Sequence, residues 1–189
     1  MRSGKNNKII PAFVTIFQYQ LSSLPNSLKS RLFLVKARIM KETIQQLERI
    51  VTDYKPLLEK IDAASFGAKP QSHKWSKKEI LGHLIDSAMS NIRRFVVGQY
   101  EDQPHIIYNQ ERWVTISNYQ HYNDKDLIEL WALLNKHICV ILKNTSEEDA
   151  RRTVKTQALH SIEWLAIDYN KHLLHHLHHL LELEPVGYP

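Results

Sequence analysis

Four stretches of this chain repeat apolar residues at helical spacing, and none alternates with the period of a strand. From Met40, the residues Ile44, Leu47, Ile50, Val51, Tyr54, Leu57 and Leu58 form one stripe, predicting a helix over 40–61. A second is predicted over 76–99. It opens on Ser76-Lys77-Lys78-Glu79, a capping-box pattern in which Ser76 and Glu79 satisfy each other's orphan amides. A third covers 124–144, with Asn123 as N-cap and Leu127, Leu130, Trp131, Leu134, Ile138 and Ile141 as its stripe. A fourth covers 161–183 and stops before Pro185, whose ring cannot continue it. The expected fold is therefore all-α, a four-helix bundle. The connection between helices two and three, 100–122, is long and aromatic (Tyr100, Tyr108, Trp113, Tyr119, Tyr122), and long connections in compact domains tend to carry function.

Composition narrows the class. A chain of 189 residues makes one domain with room for a core, and 5 Gly and 7 Pro are few for a turn-rich β fold. The single cysteine, Cys139, excludes an intrachain disulfide and suits a reducing, cytoplasmic setting. Between Ile138 and Val140 it reads as a core thiol. No apolar run is long enough to span a bilayer.

The net charge of +5 is unevenly placed. Residues 1–39 hold seven basic residues and no acid, which leaves 18 basic against 20 acidic residues from Met40 onward. The body is thus slightly acidic, and a nucleic-acid partner is not expected. The segment 1–39 reads as a basic leader, disordered or not part of the native protein. A start codon placed too early, a transit peptide and a genuine basic arm all fit its composition. The amphipathic helix beginning at Met40 favours the first, with 40–189 as the domain.

The histidines carry the candidate chemistry. Of eleven, six lie in 160–179, interleaved with leucines rather than clustered like a tag. At about 100° per residue, His172 and His176 share the arc of Leu165, Tyr169, Leu173 and Leu180, whereas His175 and His178 fall on the other side. Their i, i+4 spacing lets two imidazoles hold one ion; two core-edge histidines bonded to neighbours would look the same. On helix two, His83, Ser87, Asn91 and Arg94 run in one polar line beside the apolar stripe. Such a line marks either a solvated edge or the wall of a cleft descending from a metal.

The run Trp75-Ser76-Lys77-Lys78-Glu79-Ile80-Leu81-Gly82-His83-Leu84-Ile85-Asp86-Ser87, with Asn91 and Arg94 after it, resembles the second-helix motif of the DinB/YfiT-like family. Asp168-Tyr169-Asn170-Lys171-His172-Leu173-Leu174-His175-His176-Leu177 resembles its fourth-helix motif, and Pro104–Asn109 with Trp113 fits its long loop. The likeness covers roughly 40–183. It implies a four-helix bundle with a long crossing connection. It also implies a divalent metal, zinc or nickel, on His83, His172 and His176, and a link to thiol-dependent S-transferases and isomerases. Gly82 stands where some relatives carry a second histidine, leaving His83 as the candidate ligand there.

Three imidazoles would leave a metal position open to water or to a low-molecular-weight thiol, so hydrolysis and thiol transfer are both available. Asp168, one turn before His172, is the candidate to orient that ring, or is a surface acid. Arg94 is the candidate to bind a substrate carboxylate, or is one half of a structural ion pair. Tyr108 and Trp113 either cap the opening or close the bundle. The expected function is a metal-dependent thiol S-transferase or hydrolase, the competing one a non-catalytic metal- or ligand-binding module. Expected partners are a small-molecule substrate and a second copy of the chain, with no membrane.

Overall fold

The structure, a computed structural model, describes residues 26–188, with side chains from Arg38 onward. Helix α1 spans Asn26–Leu58, α2 Ala63–Gly67, α3 Lys77–Val97, α4 Gln110–Ser117, α5 Asp124–Asn144, α6 Glu147–Ala150 and α7 Ile162–Leu180. A 3-10 turn occupies Tyr119–His121, and strands β1 (Thr153–Lys155) and β2 (Leu159–Ser161) form an antiparallel hairpin. The long helices α1, α3, α5 and α7 are the four expected from the periodicity, and the fold is an all-α four-helix bundle. Among the described residues no helix is long and apolar enough to cross a membrane.

Several boundaries differ from expectation, one of them the end of α7, at Leu180 rather than 183. The first helix begins at Asn26 rather than Met40, so the acid-free segment is helical over residues 26–39 and not disordered there. Its Leu, Lys, Arg and Ala residues are good helix formers, and a lack of acids does not oppose a helix. The remainder of the leader, 1–25, lies outside the described residues. The same helix stops at Leu58, because Pro56 donates no amide and the chain tightens, with Ile61 N–H bonding the carbonyl of Leu58 at 3.2 Å. By contacts the chain divides into 1–39 and 40–189, and the histidines singled out above all lie in the second unit.

The helix caps are those the sequence specifies. Ser76 accepts from Glu79 N–H at 3.1 Å while Glu79 accepts from Ser76 N–H at 2.8 Å, and Asn123 accepts from the amides of Lys125 and Asp126. The core runs through Leu47, Leu58, Leu81, Leu84, Ile85, Leu127, Trp131, Ile138, Leu173 and Leu177, all nearly or fully buried. Cys139 is among them, its thiol pushed up to about 11 by burial, as suits a packing residue.

The two longer connections carry structure of their own. In 98–122, α4 is capped by Asn109, and the Ile106 amide donates to the Lys155 carbonyl while the Lys155 amide donates to that of Pro104, which ties Pro104–Ile106 to β1. Arg152 anchors the hairpin by donating to the carbonyls of Gly98 and Glu101, both at 2.9 Å. These segments wall one side of the groove between α3 and α7.

Candidate metal centre

Helices α3 and α7 lie against one another with their polar lines facing. His83 is 2% exposed, and its Nε2 stands 3.2 Å from Nε2 of His172. Ring centroids are 5.0 Å apart for His83–His176 and 4.5 Å for His172–His176. One ligand nitrogen from each of the three lies within 4.8 Å of the other two. Nitrogens bound to one tetrahedral ion at about 2.0–2.1 Å sit about 3.3 Å apart, so the cluster has the dimensions of a shared cation.

Electrostatics favour the neutral, ligand-competent rings. Burial pulls His83 and His176 down to about 4 and His172 to about 2, with His83 and His176 adding mutual repulsion at His172. An uncharged imidazole offers a lone pair, and three of them leave one position of a four-coordinate ion for an outside ligand. Trp75 packs on His83 with centroids 5.2 Å apart, shielding the ligand from behind.

The outer nitrogens of two rings are unusual. His83 Nδ1 and His172 Nδ1 are buried with no hydrogen-bond partner. Metal-binding histidines normally donate that N–H to an oxygen. Asp168, expected to serve His172, instead accepts from the Tyr188 hydroxyl at 3.1 Å. The i, i+4 geometry does put Asp168 one turn below His172, but its carboxylate is directed at the returning C-terminal segment.

That segment is what the sequence reading missed. After α7 the chain reverses at Glu182, in the left-handed region at φ 57°, and runs back along the helix. His175 Nδ1 donates to the Val186 carbonyl at 2.9 Å and His178 Nδ1 to that of Glu184 at 2.6 Å. With its Nδ1 protonated, His178 accepts the Tyr54 hydroxyl on Nε2 at 2.6 Å. The histidines phased away from the metal thus hold the tail down. They deliver Tyr188 against His172, centroids 5.4 Å apart. Helical periodicity cannot place a residue beyond a helix end; the available signal was an aromatic, Tyr188, in the short tail after the helix.

A cavity of about 680 Å³ opens beside His172. Ser87, Asn91, Arg94 and Tyr108 line it, together with Asp168 and Tyr188. Ser87 and Asn91 are each 5% exposed, and Asn91 donates to the Ser87 carbonyl at 2.9 Å. Tyr108 is half-buried and its hydroxyl lies in hydrogen-bonding reach of Ser87. Trp113 does not line the cavity. It sits behind Tyr108, ring centroids 5.1 Å apart, because α4 turns its face outward there.

Gly82 has a packing reason. The Tyr119 ring lies where a side chain at 82 would go: a Cβ there would fall 2.1 Å from Tyr119 Cδ2. Tyr119 in turn donates to the buried Asp86 carboxyl at 2.5 Å, and burial raises that carboxyl to about 6.

Known proteins share this architecture. The putative metal-dependent hydrolase of Oceanobacillus iheyensis is 27% identical over 149 residues, covering 77% of this chain and 86% of that protein. The structure of YfiT from Bacillus subtilis, described as a probable metal-dependent hydrolase with an unusual four-helix bundle topology, superimposes with a TM-score of 0.68. It is 21% identical and matches 76% of this chain and 84% of its own. A mycothiol-dependent maleylpyruvate isomerase superimposes with a TM-score of 0.63 at 16% identity, over 78% of this chain and 62% of the isomerase. The DinB superfamily model matches residues 46–180, which takes in all three histidines and the cavity-lining residues of α3 and α7, and the chain belongs to that superfamily.

Proposed function

We propose that this protein is a metal-dependent enzyme that transforms a small molecule, by hydrolysis or by transfer to a low-molecular-weight thiol. His83, His172 and His176 would hold one divalent ion, zinc or nickel by the all-imidazole donor set. Bound there, the ion supplies Lewis acidity that makes a water or thiol at its remaining position a nucleophile at neutral pH.

The observation that carries the reading is a three-nitrogen cluster one of whose members, His172, lines a cavity of about 680 Å³. A purely structural zinc site closes its coordination with a fourth protein ligand. Here the described residues offer three, and one of them, His172, also lines the space that Ser87, Asn91 and Tyr108 line. These groups position and hydrogen-bond a substrate while the neighbouring aromatics exclude water. The names of the Oceanobacillus and Bacillus relatives support hydrolysis; the isomerase with the same fold keeps thiol chemistry in view.

The test is metal analysis of untagged protein, then a panel of ester and amide electrophiles assayed with and without added thiols. Turnover that vanishes on chelation and returns with zinc or nickel is expected. A full equivalent of metal with no turnover across the panel would favour a non-catalytic binding module.

A further inference from the structure

The cavity beside the metal centre is lined by one arginine and one aspartate, and among the described residues neither is in an ion pair. Arg94 enters from α3. Its Nε donates to the Ile106 carbonyl at 3.3 Å and one terminal nitrogen to Asn91 Oδ1 at 3.4 Å, both long bonds to neutral acceptors. Among the described residues no carboxylate lies within ion-pair distance of it. Asp168 enters from α7, and its hydrogen bond comes from the neutral Tyr188 phenol. Both side chains are half-buried, and although Arg94 feels the field of Asp168 across the cavity, no direct charged contact uses their hydrogen-bonding capacity.

A ligand of one charge satisfies only half of this lining. A plain carboxylate gains Arg94 but meets the field of Asp168, and a plain amine has the reverse problem. A molecule carrying both charges completes both. The aromatic rings of Tyr108 and Tyr188 flank the same space and favour an ammonium by cation–π attraction. We propose that the cavity binds a zwitterionic aminocarboxylate, its carboxylate on the Arg94 guanidinium and its ammonium on the Asp168 carboxylate. The inference rests on the cavity being the substrate's side of the metal centre. It also gives Tyr188 a role as the placeholder on Asp168, its phenol being displaced when the ammonium arrives.

The experiment is calorimetric titration of the metal-loaded full chain with β-alanine, 4-aminobutyrate and 6-aminohexanoate, which span the charge spacing and chelate metals poorly. Butyrate and butan-1-amine are the single-charge controls. The best zwitterion should bind about tenfold or more tighter than either control, the size expected for one charge-assisted bond. Arg94→Gln should bring the zwitterion down to the level of the amine, and Asp168→Asn to the level of butyrate. Butyrate or the amine binding as tightly as the zwitterions overturns the proposal, as does no binding of any zwitterion at about 50 mM. The wild-type ligand series decides this even if a variant fails to fold. Metal content is measured on the same samples. Charge selectivity without bound metal would sink the metal-dependent reading and leave this one standing; bound metal without charge selectivity would do the reverse.

Discussion

Gly82→Ala tests the packing that holds the ligand-bearing helix in register. The added methyl would fall 2.1, 2.3 and 2.7 Å from three atoms of the Tyr119 ring, so the ring must move. Overpacking of this kind costs about 1–3 kcal/mol. A displaced ring also gives up its hydrogen bond to Asp86, whose other oxygen is already without a partner, at a further cost of about 1–3 kcal/mol. Against this, alanine is favoured over glycine inside a helix by about 1 kcal/mol. The net expectation is a loss of about 1–5 kcal/mol, read as a lower denaturant midpoint at unchanged slope. The control is the same substitution in a Tyr119→Ala background, where the obstructing ring is gone. There Gly82→Ala should be neutral or stabilising by up to about 1 kcal/mol. A penalty of equal size in both backgrounds would refute the argument, since the cost would then not come from Tyr119.

Other outcomes follow from the same geometry. Ala at His83, His172 or His176 should each remove most bound metal by elemental analysis. His175→Ala and His178→Ala should keep the metal and lose about 1 kcal/mol through the released C-terminal segment. The Asp86 carboxyl, raised from 3.8 to about 6, binds its proton more tightly folded than unfolded. Its own contribution to stability should therefore be full below about pH 4 and be lost, by about 3 kcal/mol, by about pH 6; the buried histidines, held at about 4 and about 2, add a slope of opposite sign in metal-free protein, so the quantity to read is the difference between wild type and Asp86→Asn across that range. Cys139, buried and with its thiol raised to about 11, should resist alkylation at pH 8 until the chain is denatured.

Much of this protein is local, and local features can be read from order along the chain. The four stripes placed α1, α3, α5 and α7 because burial of one face imposes a 3.6-residue period. Ser76, Glu79 and Asn123 marked two helix starts because capping depends on neighbours within one turn. Phasing of α7 separated His172 and His176 from His175 and His178 for the same reason. The likeness to a family motif then named His83 as their partner. What a one-dimensional pattern cannot hold is where distant segments meet. Only the packed chain shows Tyr119 filling the space above Gly82, and Asp168 given to Tyr188 rather than to His172. Only there do the outward histidines find the tail's carbonyls, and Arg94 and Asp168 come to share one cavity from opposite helices. Each of these is a contact between residues 20 to 74 positions apart or held by a returning loop, decided by side-chain volume and by which buried polar atoms find partners.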